Sequence, residues 1–380
     1  VKHFHALFLI GALFLSATAM PQGPQKPLSP VSERIKNLCT EQEKREKFSG
    51  SIYVKTHFGV EIDEALGEAS SAMAVPNTSE TAYRVGAITR VFTATAILKL
   101  VADGRLNLDE TLQKLLPEFQ GKNSSKITLH NLLSNSSGIP DYLPTWKTAW
   151  RMRAGAEEPP PGGTEKLIAS ITDLGSRFEP GTKADHSSSN ALLLGRILEK
   201  VENTNYPSLM KKFFKSNGLT KTGFFIDQEV PASARATGYT AFSQLDPRFW
   251  LSANPKNSRT LRHPEWDMAA SGAYSTTHDV ALWVNAFLSG AFLPETWRNK
   301  MIEKHISKSP ARWFGYGWEI HQMNNVEGLV LTGAHPGYQS LVVHVPQTQT
   351  TVVVLENFGD TPSGRNRFFR DIVNAALQEN

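Results

Sequence analysis

The 380-residue sequence has a single cysteine, Cys39, which excludes an internal disulfide. A chain this long buries enough core to do without one, and Cys39 is expected to pack as a small apolar residue on an N-terminal helix. Long hydrophobic runs are scarce. Residues 6–15 form a nearly unbroken apolar stretch, shorter than the roughly 20 residues a membrane-crossing helix needs. Like charges form no block: the formal net charge of +4 is spread along the chain, which argues against a nucleic-acid surface. There is no internal repeat. The histidines show no metal-type spacing, so no metal site and no cofactor are expected.

What is present first is export chemistry. Lys2, the apolar run and the small-x-small triplet Ala17-Thr18-Ala19 read as a signal peptide over residues 1–19. A proline-rich leader over 20–30 follows, then a single domain over 31–380. The implied location is periplasmic or extracellular, with no stable membrane span after cleavage.

Periodicity predicts an amphipathic helix over 31–47, strands over 48–55 and 60–66, and a helix over 88–103 stopped by Gly104. Phe92, Ala96, Leu100 and Val101 are expected on one buried face of that helix. Residues 105–265 read as helix and loop, broken at Pro140, Pro144, residues 159–163 and Pro180-Gly181. β-rich runs return at 328–331, 340–345 and 351–355, and a helix closes the chain over 367–377. Strands at both ends with helices between predict an α/β chain of the α+β type. Its sheet is mainly antiparallel and flanked by helices, with sheet parts at about 31–86 and 270–380 and an inserted, mostly helical part at about 87–269.

Chemistry-bearing types gather in a few segments. Gly86-Ala87-Ile88-Thr89-Arg90 opens the long helix; Leu132-Leu133-Ser134-Asn135-Ser136-Ser137-Gly138-Ile139-Pro140 forms a serine-rich loop; Pro180-Gly181 precedes His186-Ser187-Ser188; and Leu331-Thr332-Gly333-Ala334 lies on a late strand. In order and spacing these segments resemble the penicillin-binding-protein and class C β-lactamase-like serine hydrolases. The likeness extends along most of the chain from residue 48 onward. It implies that Ala87 holds the place of the nucleophilic serine and Arg90 that of the lysine one turn on. His186 and Ser188 hold the places of a tyrosine and an asparagine, and Leu331 that of the third-motif base.

A methyl group cannot attack a carbonyl, arginine stays protonated, and leucine has no proton to offer. The expectation is a catalytically impaired or inactive homologue that keeps a cleft. Ala87, Arg90, His186, Ser188, Thr332, Gly333 and Ala334 would line it, with backbone N–H groups of Ala87 and Ala334 as the family's oxyanion hole. A small acyl or peptide ligand is the implied partner. Plain packing of Ala87, an ordinary ion pair for Arg90 and a hydrogen-bonded wall role for His186 are the blander alternatives. Lys221-Thr222-Gly223 spells the third motif out of context and is set aside. The aromatic cluster Trp313, Phe314, Tyr316 and Trp318 could line the cleft or fill the core. Two other functions stay open: an active esterase, β-lactamase or peptidase with a shifted nucleophile or a water activated by His186, and a structural partner of another exported protein.

Overall fold

The computed structural model describes residues 28–44, 48–142, 163–224, 226–240, 268–323, 325–335, 337–359 and 365–378. The signal peptide, most of the leader, and the breakers at Pro144 and 159–162 lie outside the described residues.

Eight antiparallel strands form one sheet: β1 (Gly50–Thr56), β2 (Gly59–Leu66), β3 (Ile306–Ser309), β4 (Arg312–Phe314), β5 (Glu319–Met323), β6 (Val326–His335), β7 (Tyr338–Val345) and β8 (Thr350–Glu356). Their order is β2-β1-β8-β7-β6-β5-β4-β3, so the first hairpin joins the last strand and both chain ends build the sheet. The Val-Val-Val-Leu run of β8 is buried on both faces. Its period of two sends Val352 and Val354 to one core and Val353 and Leu355 to the other. In register, Ile52 opposes Val354 and Tyr53 opposes Val353, repeating the split one strand over.

Terminal helices α1 (Pro30–Lys44) and α6 (Arg365–Leu377) cover the first face through Ile35, Cys39, Phe368 and Ile372. Cys39, the single cysteine, is buried there. The second face carries the larger core, in which lie α2 (Thr89–Ala102), α3 (Leu129–Leu133), α4 (Ser188–Glu202) and α5 (Thr277–Leu288).

Two expectations need correcting. The long helix does not bury one face: Val91, Phe92, Ala94, Ile97, Leu98, Leu100 and the threonines 89, 93 and 95 are all buried around its circumference. It runs through the core, and its threonines satisfy their hydroxyls inside it. Thr95 donates to Val91 O at 2.8 Å, and Thr93 meets the Tyr206 hydroxyl at 2.8 Å. The sheet is also larger than the β-rich runs imply, because β3, β4 and β5 were not expected. Short segments bearing Lys308, Arg312, Glu319 and His321 lack the apolar alternation that marks a strand. They become strands by adding to the sheet in turn, β5 on β6, β4 on β5 and β3 on β4.

Candidate functional site

The site begins at a seam between the start of α2 and the second half of β6. β6 pairs with β5 over Val326–Val330 and with β7 from Leu329 to His335, so from Leu331 onward it pairs only with β7 and forms a local sheet edge. A 3-10 turn, Gly86–Ile88, is pressed against that edge. Gly86 adopts φ +55°, and a Cβ there would fall 2.8 Å from Ala334 O. From the strand side, a Cβ on Gly333 would fall 2.1 Å from Val85 O. Ser340 Oγ ties the seam by donating to Val85 O at 2.8 Å. Thr89 Oγ1 donates to Gly86 O at 2.7 Å and accepts from Ala273 N at 3.1 Å, which locks the turn into the core. Ala87 is thereby set beside the β6 edge.

The second wall is the serine-rich loop stitched to the start of α4. Ser137 Oγ donates to Asn190 Oδ1 at 2.6 Å, and Asn190 Nδ2 donates to Asn135 Oδ1 at 3.1 Å. Ser189 Oγ donates to Pro140 O at 2.7 Å while accepting from Tyr142 N at 3.2 Å. Asn135 takes φ +57°, a left-handed conformation that asparagine tolerates. This stitching brings Asp141 opposite Ser188. Ser188 Oγ accepts from Arg90 Nη2 at 2.9 Å and donates to Asp141 Oδ2 at 3.3 Å. His186 Nδ1 lies 3.8 Å from the same Asp141 oxygen.

The order of these groups decides their chemistry. A serine triad needs imidazole between hydroxyl and carboxylate, so that the ring can take the hydroxyl proton. Here the carboxylate is in the middle, between Ser188 and His186. Lost solvation, then the charges of Arg90 and Lys308, push the His186 pKa down to about 3, with Glu319 opposing. The ring is neutral at physiological pH and a feeble base. Burial would raise the Glu319 pKa, but hydrogen bonds from His321 at 2.8 Å and Lys308 at 2.7 Å outweigh it and hold the carboxylate at about 2.

These walls enclose a pocket of about 60 Å³ reaching from Ala87, Arg90, Leu331 and Thr332 inward to Asn190 and Leu194. It is small beside the roughly 300–1,000 Å³ usual for ligand sites. The Ser187 hydroxyl, buried in its lining, has no hydrogen-bond partner among the described residues. Of the residues singled out from the sequence, Ala87, Arg90, His186, Leu331 and Thr332 meet at this pocket, and Ser188 joins through Arg90. Gly333 and Ala334 are not in its lining; they form the seam with Val85 and Gly86. Asp185, next to His186, pairs with Arg177. Phe314 lines the pocket, whereas Tyr316 and Trp318 are fully buried. The triplet Lys221-Thr222-Gly223 lines no part of it; Thr222 Oγ1 and Lys221 N donate to Asp279 Oδ2 at 2.8 and 2.7 Å. Sequence reasoning missed Asp141, Glu319 and Lys308, whose only signal is their placement in space.

Comparison with known proteins agrees with this layout. The family profile described as Beta-lactamase matches residues 40–376. Protein flp of Staphylococcus aureus (strain COL) is 24% identical over 319 residues, spanning 81% of this chain but 59% of its own length. The chain thus corresponds to about three fifths of that relative. A penicillin binding protein from Bacillus halodurans superposes with TM-score 0.73 at 23% identity, covering 89% of this chain and 97% of its own. A D-amino acid amidase from Ochrobactrum anthropi SV3, solved with L-phenylalanine amide, gives TM-score 0.75 at 19% identity over 91% and 98%. An eight-stranded antiparallel sheet built from both chain ends, a core helix opening on the pocket and a profile spanning almost the whole length lead to one assignment: the chain belongs to the β-lactamase family.

Proposed function

We propose that this protein is an exported member of the family that has lost serine-hydrolase chemistry and binds a ligand at the former attack point. The observation that carries the reading is the engagement of Arg90. Its guanidinium donates to Ser188 at 2.9 Å beneath an alanine, where a hydrolase needs a nucleophile and a group able to take its proton. At about 60 Å³, the pocket takes the end of a ligand rather than its body. A carbonyl or carboxylate terminus suits a wall that carries Arg90 and a neutral His186. Its similarity to penicillin-binding proteins and to an amidase solved with an amino-acid amide favours acyl or peptide-derived ligands. Ala87, Arg90, His186 and Thr332 are the proposed contacts, with Ser188 positioning Arg90. Export rests on Lys2, the apolar run over 6–15 and Ala17-Thr18-Ala19.

A fluorophosphonate probe and a fluorescent penicillin test the loss of chemistry. The expected result is no covalent adduct by intact-protein mass. A labelled serine whose replacement abolishes labelling would establish an active hydrolase instead.

A further inference from the structure

A second groove, of about 770 Å³, lies at the C-terminal end of α2 and shares no lining residue with the pocket at Ala87. It is an order of magnitude roomier than that pocket and within the usual range for small-molecule sites. Leu106, Leu108 and Trp297 supply apolar surface; Asn107, Asp109 and His130 supply polar groups.

The charges around the groove largely cancel. Arg105 pairs with Glu202, Glu110 with Lys114 at 2.6 Å, and Lys300 with Glu303 at 3.0 Å. Asp109 is exposed, and its carboxylate makes no ion pair among the described residues. His130 is held rather than loose. Its Nδ1 meets the hydroxyl of buried Tyr316 at 2.7 Å, and Tyr316 is itself stacked on His305 with ring centroids 4.0 Å apart. Burial and the Lys300 charge push the His130 pKa down, so the ring is neutral near pH 7. Among the described residues, Nε2 of His130 and the indole N–H of half-buried Trp297 make no hydrogen bond.

The groups left to a ligand are therefore mixed: one carboxylate acceptor, one imidazole nitrogen, one indole donor and an aromatic body beside two leucines. Hydroxyl groups, which donate and accept at once, match such a set, while C–H faces match the indole and the leucines. An anion would meet Asp109, and a cation would meet Lys300. We propose that this groove binds a neutral polyhydroxylated ligand, a saccharide. Its hydroxyls donate to Asp109 and bond to His130, and its apolar face rests on Trp297.

The test is calorimetric titration of the full chain with cellotriose, maltotriose and triacetylchitotriose, with benzylamine and citrate as charged comparators. At least one trisaccharide is expected to bind in the millimolar range. Asp109→Ala, at an exposed position that leaves folding intact, is expected to weaken it about tenfold. Trp297→Ala is expected to do likewise with its thermal transition retained. Three results would overturn the proposal. These are no saccharide binding up to about 20 mM, binding unchanged by both groove variants, and binding of benzylamine or citrate but of no saccharide.

Discussion

Gly333→Ala tests whether the seam between β6 and the start of α2 is what holds the pocket in shape. A Cβ at this position would sit 2.1 Å from Val85 O and 2.3 Å from Ser340 Oγ. Both are within the core, and the nearer atom belongs to the backbone, so no rotamer change relieves the contact. The strand and the turn must part by about an ångström to restore ordinary contact distances. Overpacking of this kind costs about 1–3 kcal/mol. Separation also weakens the buried Ser340–Val85 hydrogen bond of 2.8 Å, worth about 1 kcal/mol more. The sum, about 2–4 kcal/mol, corresponds to a fall of about 4–8 °C in Tm at the roughly 2 °C per kcal/mol expected of a large domain. Differential scanning calorimetry of wild type, Gly333→Ala and a comparator measures it. Gly104→Ala is the comparator: its φ is +72° with nothing within 4 Å of the added Cβ, so it reports backbone strain alone. A Gly333→Ala protein melting within 1–2 °C of wild type would show that the seam yields easily, and the argument for a rigid attack point would fail.

Two further outcomes are expected. Ala87→Ser alone should give no stoichiometric acyl adduct with p-nitrophenyl acetate, because Arg90 cannot accept the serine proton and a general base contributes about 10²–10⁴-fold. Ala87→Ser with Arg90→Lys should give one by mass spectrometry, and an adduct on the single variant would sink the reasoning about Arg90. On stability, His344 is buried in β7 with Nδ1 2.9 Å from Thr351 Oγ1, and burial pushes its pKa from 6.5 down to about 4. The unfolded chain takes up the proton first, so this contribution is intact above about pH 6.5 and is lost as pH falls toward 4. The loss is about 3 kcal/mol at most. Urea midpoints at pH 7 and 4.5 should differ less in His344→Gln than in wild type; an unchanged difference would clear His344 of the effect.

How much could be read without coordinates depended on range. β8 was legible because Val352, Val353, Val354 and Leu355 form an apolar run, three of them β-branched, between turn signals, and the hairpin β1–β2 because Ile52 and Val54 alternate with more polar neighbours. Ala87, Arg90, His186 and Leu331 could be singled out from the segments around them, and the structure gathers them at one pocket. Asp141 was not. It reaches Ser188 across 47 positions, and only the loop-to-α4 hydrogen bonds from Ser137 and Ser189 bring it there. The depth of α2 was hidden for a different reason. Thr89, Thr93 and Thr95 score as polar, yet in the core each spends its hydroxyl on a nearby carbonyl, so composition understates burial.

Arg90 and Ser188 make more sense as a pair than as two separate residues. Against the lysine and asparagine that the family resemblance puts at these positions, the first is a longer side chain with a planar fork and the second a shorter one. The reach gained on α2 compensates for the reach lost on α4, and the two meet at 2.9 Å. Ser188 then passes a hydrogen bond to Asp141, so a cation and a carboxylate are joined through one hydroxyl beside the pocket. A bare guanidinium in this half-buried place would carry a desolvation penalty of several kcal/mol. A network that relieves this penalty preserves the helix contact between α2 and α4 without preserving proton transfer.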